Sequence, residues 1–301
     1  MERMARGKDE ERLIYRYLRH DKKFPHVWCP GCGNGILLGS LIRSVHKAGY
    51  AKDDVVLVSG IGCAGRMSVY VDFNTVHATH GRALTFATGI KLARPRLQVI
   101  VVMGDGDATA IGGNHLIHAA RRNVDLTAII VNNRIYGMTG GQSSPATPPG
   151  LRASTAPFGH VEPAFRIAEL VEAAGAALVA RGTIYHVHQL DRLLERCLGK
   201  RGFSLLEVIS HCPTHFGKLN LLGGPVESMR WIRDHAVDVE KSRDMDPETL
   251  RGKFRIGVLV DRDLPDFQSE YQEVRKRARQ AVPFRLDPKE ISKMLESYQL
   301  Y

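Results

Sequence analysis

No stretch of this chain approaches the roughly 18 consecutive apolar residues that a membrane-spanning helix needs. The opening segment MERMARGKDEERLIYRYLRHDKK is charged throughout and lacks the apolar core of a secretory signal. Both absences lead us to expect a cytoplasmic protein with no membrane attachment. Cysteine is scarce: five among 301 residues exclude a disulfide scaffold in a chain of this size. Acid is in the minority, with 32 Asp and Glu against 42 Lys and Arg, and the formal charge of +10 favours acidic partners. The basic residues are scattered, however, and no finger, helix-turn-helix or RNA-recognition pattern accompanies them, which argues against nucleic acid. Internal repeats and low-complexity tracts are also lacking. What is present, 44% hydrophobic and 25% charged residues, suffices for one large α/β core or two smaller ones.

The densest signal lies between Val99 and Met138. VIVVM reads as a short buried strand, helical spacing follows from Ala110 to Ala119, and LTAIIVN reads as a second strand. A right-handed crossover would lay the two strands parallel, with their carboxyl ends on one rim of the sheet. That brings Asp105 to the same rim as Asn133. Mg²⁺ takes about six hard oxygens in tight octahedral geometry, and Asp105, Asn133 and the Ile135 carbonyl could supply the protein's share beside a diphosphate. Gly104 and Gly106 would let the backbone approach the phosphates, and the following helix would aim free N–H groups at them.

The cysteines suggest a second centre. Cys29-x-x-Cys32 is a two-ligand clip, and Cys63 and Cys212 each follow a predicted strand, so all four can meet at the same rim. Four thiolates fit either tetrahedral zinc or a [4Fe-4S] cluster, and spacing does not separate the two. Position beside the diphosphate loops favours a redox group. Cys197, at helical spacing with Leu193 and Leu194, is expected to be a buried small hydrophobe. The pair His115 and His118 is expected to face the sheet, because no third metal ligand is apparent.

Elsewhere the chain alternates helical and strand patterns. Residues 9–20 read as an exposed helix, 34–46 as a helix, 55–59 as a strand, 83–93 and 162–174 as helices, 187–198 as a helix and 203–210 as a strand. This predicts a doubly wound, mostly parallel α/β sheet. GGQSSPATPPG is expected to form a lid or interface over the site. We divide the chain into an N-terminal helical extension (1–24), a cofactor domain (25–225) and a helical C-terminal tail (226–301) that packs on a partner.

GDGDATAIGGNH together with NNRIYGMTGGQSSPATPPG resembles the β subunit of 2-oxoacid:ferredoxin oxidoreductases, and CPGCG, GIGC and HCPT are similar to that family's cluster-binding segments. The resemblance covers roughly residues 25–225. It implies a sheet of the thiamine-diphosphate-binding type and one [4Fe-4S] cluster on Cys29, Cys32, Cys63 and Cys212. It also implies Mg²⁺ on Asp105, Asn133 and Ile135, and thiamine diphosphate against Ile61, Gly62, Cys63, Ala64, His80, Gly106, Asp107, Gly137 and Met138. His80 is the candidate catalytic residue. No glutamate sits in a cofactor-facing motif, so the carboxylate that promotes cofactor ionisation would come from an α subunit, in an α2β2 assembly acting on a 2-oxoacid with coenzyme A and ferredoxin. HCPTHFGKLN is similar to the 2-oxoglutarate branch, with Lys218 partly preserving its basic residues, whereas Gly140 stands where some relatives carry Lys. Pyruvate or branched-chain 2-oxoacids, a non-redox thiamine-diphosphate lyase and a non-catalytic zinc-stabilised subunit are the alternatives.

Overall fold

The computed structural model describes residues 13–21, 25–281 and, beyond them, 287, 289, 292 and 293. Strands β1 (Val55–Ser59), β2 (Asn74–His77), β3 (Gln98–Gly104), β4 (Leu126–Asn132), β7 (Leu178–Thr183), β8 (Phe203–Ile209), β9 (Ala236–Asp238) and β10 (Phe254–Asp261) form one sheet. Their order is β2-β1-β3-β4-β8-β7-β10-β9; β10 runs antiparallel to β7 and parallel to β9, so these two strands oppose the other six. A separate two-stranded hairpin joins β5 (Ile135–Tyr136) to β6 (Gln142–Ser143).

The central strands are buried along their whole length, β1, β4, β7 and β8 without a break, because helices cover both faces. On one face Val55, Leu57, Ile100, Val102, Ile129 and Val131 pack with helices α1 (Asn34–Lys47) and α5 (Val187–Gly199). The alternate residues Val56, Val58, Val101, Met103, Ala128 and Ile130 meet α2 (Ala83–Ala93), α3 (Gly113–Arg121) and α4 (Ile167–Ala173) on the other. Helix α5 shows why such segments become helices: Leu190, Leu193, Leu194, Cys197 and Leu198 recur on one stripe and are all buried. Its polar edge is tied to α1 by Arg43, which donates Nε and Nη2 to the two oxygens of Asp191 at 2.8 and 2.9 Å.

Three expectations change, and one element, the edge strand β2, has no sequence prediction because NTVH is short and half exposed. On α3 the sheet-facing residues are Leu116, Ala119 and Ala120, while His115 and His118 lie half-buried on its flank. The segment predicted as an exposed N-terminal helix keeps a helical turn at 13–16, then buries Tyr17 and Leu18, with Leu18 bridging to Val71; residues 9–12 lie outside the described part. Finally, the sheet continues past residue 225: α6 (Pro225–His235) leads into β9 and β10. FRIGVLVD is a β-branched run bounded by Gly252 and Pro265, and its charged surroundings hid it.

Helix α7 (Phe267–Ala281) carries Arg275, Lys276, Arg277 and Arg279 and from Gln268 onward belongs to a second compact unit. Most of the expected tail beyond it lies outside the described residues. Among those described, no helix is long and apolar enough to cross a membrane.

Candidate active site at the carboxyl rim

The carboxyl ends of β1, β3 and β4 open into a cavity of about 230 Å³. It is lined by Ile61 to Ala64 after β1, His80 after β2, Gly104 to Asp107 after β3, and Asn133 and Ile135 to Thr139 after β4. Parallel strands place every one of these loops on the same rim, which is why motifs far apart in the chain converge. All the residues expected to touch the cofactor or Mg²⁺ therefore share one space.

Asp105 is 2% exposed. Burial pushes its carboxyl up to about 7, although Ser144 and the backbone N–H groups of Gly106 and Arg134 hold it down. Ser144 Oγ donates to Asp105 Oδ2 at 2.5 Å, and among the described residues no Lys, Arg or His forms an ion pair with it. Asn133 turns back on itself, its Oδ1 accepting the Ile135 N–H at 3.3 Å. Between them Arg134 takes φ 64°, and its carbonyl accepts Thr147 Oγ1 at 2.6 Å. The donors to this loop, Ser144 and Thr147, come from GGQSSPATPPG. That segment is not a lid: Ser144, Ala146 and Thr147 are buried and brace the metal-type ligands from behind. No sequence pattern announces a contact between Ser144 and Asp105.

The glycines divide. A Cβ on Gly104 would meet nothing within 4 Å, leaving room for a ligand, whereas one on Gly106 would strike the Tyr136 ring at 2.2 Å. Gly106 is thus small for Tyr136, whose hydroxyl donates to the Gly106 carbonyl at 3.1 Å. Gly140 takes φ 115° in the β5–β6 turn, which favours glycine at that position.

Asp107 lines the cavity and commits one carboxylate oxygen, Oδ1, to protein. Its Oδ1 accepts the Gly81 N–H at 2.7 Å and lies 2.5 Å from His80 Nδ1. It serves the cavity by orienting His80, which also meets Tyr136 edge-on at 6.2 Å. Burial raises the Asp107 carboxyl, opposed by the Gly81 amide and His80.

Cys63 and Cys212 come together beside this cavity and the Cys29–Cys32 turn lies near them, although among the described residues no three His, Cys, Asp or Glu side chains stand close enough to hold a metal ion as they are. A Cβ on Gly137 would approach Cys212 Sγ to 3.4 Å and Cys63 Sγ to 3.7 Å, so both sulfurs face one spot. The Cys29–Cys32 turn closes through Cys32 N–H to Cys29 O at 3.0 Å. It is tied to the other two loops by Trp28, whose Nε1 donates to Cys63 O at 2.7 Å, and by His211, whose Nε2 lies 2.7 Å from Gly31 O. Burial pushes the Cys32 thiol up to about 11, helped by the nearby Cys63, Cys212 and Cys29; Cys63 is raised by burial and by Cys212 and Cys29. Cys197 stands apart, fully buried in α5, its thiol pushed up to about 12 by burial. Trp28, His211, Tyr136, Ser144 and Thr147 are the site residues that sequence reasoning missed.

Residues 60–208 match the family described as thiamine pyrophosphate enzyme, C-terminal TPP binding domain. The chain is 49% identical over 257 residues to 2-oxoglutarate synthase subunit KorB of Methanothermobacter marburgensis, covering 85% of this chain and 90% of that one. It is 36% identical over 220 residues to 2-oxoacid:ferredoxin oxidoreductase 2, subunit beta, of Aeropyrum pernix, covering 73% and 69%. Among solved structures, 2-oxoglutarate:ferredoxin oxidoreductase from Magnetococcus marinus with 2-oxoglutarate, coenzyme A and succinyl-CoA bound superposes with a TM-score of 0.80 at 30% identity, over 93% of this chain and 95% of that one. Relatives of this identity and coverage, together with the convergence of the GIGC, GDGD and NNRIYGM loops on one cavity, mark the protein as an oxidoreductase that works with partner subunits. It belongs to the 2-oxoacid:ferredoxin oxidoreductase β subunits, in the 2-oxoglutarate synthase KorB branch.

Proposed function

We propose that this chain is the β subunit of a cytoplasmic enzyme that converts 2-oxoglutarate and coenzyme A to succinyl-CoA and CO₂, passing two electrons to ferredoxin. One observation carries the reading: a cavity lined by four motif loops adjoins a gap faced by the Cys63 and Cys212 sulfurs. Thiamine diphosphate with Mg²⁺ would supply the electron sink for decarboxylation, and a [4Fe-4S] cluster would accept the electrons singly. Asp105 fits the metal, being a buried carboxylate whose anionic form lacks an ion-pair partner among the described residues; Asn133 and the Ile135 carbonyl would complete the protein's share. Gly104 leaves open space for a diphosphate, and Ile61, Gly62, Ala64, Gly137 and Met138 would wall the cofactor. Cys29, Cys32, Cys63 and Cys212 suit a cluster, since burial and the neighbouring sulfurs disfavour the Cys32 and Cys63 thiolates and a cationic iron centre would relieve that.

The chain's own residues would then act as positioners. Asp107 holds His80, and His80 is the group free to exchange a proton with substrate or cofactor at the cavity wall. The only carboxylates lining this cavity are Asp105 and Asp107, so the glutamate that ionises the cofactor would come from the α subunit. Ile61 and Met138 at the cavity, 38% and 43% exposed, and Phe158 and Val161, 101% and 87% exposed, are apolar surface suited to such a partner. An α2β2 assembly, ferredoxin as acceptor and 2-oxoglutarate as substrate complete the proposal.

Anaerobic purification with the neighbouring subunit tests it. Thiamine, iron and sulfide should be present, and 2-oxoglutarate should outperform pyruvate and branched-chain 2-oxoacids in reducing ferredoxin. A colourless, thiamine-loaded complex that decarboxylates without reducing ferredoxin would point instead to a lyase.

A further inference from the structure

Arg134 sits between Asn133 and Ile135 and has no role in the site as proposed, yet three separate contacts hold it. Its N–H reaches Asp105, its carbonyl accepts Thr147, and its guanidinium lies over the Trp231 ring, 4.6 Å from the centroid. Among the described residues no carboxylate forms an ion pair with it: the nearby Glu207 is engaged by Arg181 Nε at 2.8 Å and by Asn132 Nδ2 at 2.7 Å. Trp231 is in turn fixed by His235, stacked at 4.2 Å, and by Phe254 at 6.2 Å. Its helix α6 packs on the turn Pro213–Gly217 that directly follows Cys212. The stack therefore links the loop carrying Asn133 and Ile135 to the element behind a cluster-type cysteine.

The backbone makes the stack matter. Among the described residues Arg134 is one of three non-glycine residues with positive φ, a conformation disfavoured for a side chain with a Cβ. It aims the Asn133 amide oxygen and the Ile135 carbonyl from either side of a single peptide kink. A residue held there against its preference needs anchors, and a cation–π contact that is partly desolvated is a substantial one.

We infer that Arg134 is a positioning residue: clamped on Trp231, it sets the loop that presents Asn133 and Ile135 to Mg²⁺. The inference rests on the Mg²⁺–diphosphate reading of the cavity. Glycine separates side chain from backbone, because it adopts positive φ freely, so R134G keeps the kink while deleting the clamp. In the full chain copurified with its partner subunit, Mg²⁺ is titrated at saturating thiamine diphosphate by calorimetry, with the melting temperature measured alongside. R134G and W231A should each raise the Mg²⁺ Kd about five- to tenfold, in the range of one cation–π contact. The double variant should be no worse than either single one, R134K should recover part of the loss, and the melting temperature of R134G should stay close to wild type, whereas W231A, which empties a packed position, lowers it.

Wild-type affinity in R134G would overturn the inference while leaving the cofactor reading intact. So would effects of R134G and W231A that multiply in the double variant, or a loss in R134G that tracks its melting temperature and is not rescued by lysine. A wild-type complex that binds no Mg²⁺ with thiamine diphosphate would remove the cofactor reading, and the clamp's task with it.

Discussion

Asp105 carries a cost that only a ligand relieves. Its burial raises the carboxyl to about 7, so the anion is held at the expense of the folded state. Asp105→Ala should leave the unliganded chain at least as stable while weakening Mg²⁺–thiamine diphosphate binding by on the order of 100-fold or more, because a charged ligand is lost from a buried pair. Wild-type affinity in a Mg²⁺-dependent titration would rule out the assignment. The cysteines offer a contrast at the same scale. Cys212→Ser should bleach the visible absorbance of the purified complex, since a hydroxyl is a poor ligand for iron, whereas Cys197→Ser, in the interior of α5, should keep it and cost only stability. Equal loss in both variants, or in neither, would remove Cys212 from the ligand set.

At the scale of elements, the loop after β6 does two jobs. Its first half braces Asp105 and the Arg134 carbonyl through Ser144 and Thr147, and further on it leaves Phe158 and Val161 in solvent. Phe158→Ser should therefore change the stability of the lone chain by no more than about 0.5 kcal/mol, as for other exposed positions. Subunit association should weaken by about tenfold or more, the loss typical of an aromatic anchor at an interface. Unaltered association in analytical ultracentrifugation would show that this surface faces elsewhere. Helices α2 and α5 and strand β1 were legible in the sequence because each is a single run with one clear period. β2, β9 and β10 were not, being short, half exposed or set among charges, so that neighbouring strands decide their state.

For the whole molecule, a cavity whose described carboxylates are Asp105 and Asp107 leads us to propose that a partner supplies the glutamate, which can be tested directly. The isolated chain should show no decarboxylation of any 2-oxoacid, with activity appearing on addition of the α subunit; reduction of a dye by the chain alone would place the missing acid here. If the +10 charge steers an acidic ferredoxin, the second-order rate of its reduction should fall as salt rises, since exposed charges beyond about 8 Å are largely screened at physiological ionic strength. A salt-independent rate would locate the docking contacts on another subunit.

By itself the sequence determined what depends on neighbours along the chain. This comprises the alternation of strands and helices, the carboxyl-end loops GIGC, GDGD and NNRIYGM, the isolation of Cys197, and the family. Only the tertiary structure decided what depends on which loops meet. Asp107 meets His80, Gly106 makes room for Tyr136, Ser144 supports Asp105 from 39 positions away, and β10 turns antiparallel to β7. The reason is physical: periodicity and turn chemistry are set within a few residues, whereas a carboxylate's partners follow from the order of the strands, which brings distant loops to one rim.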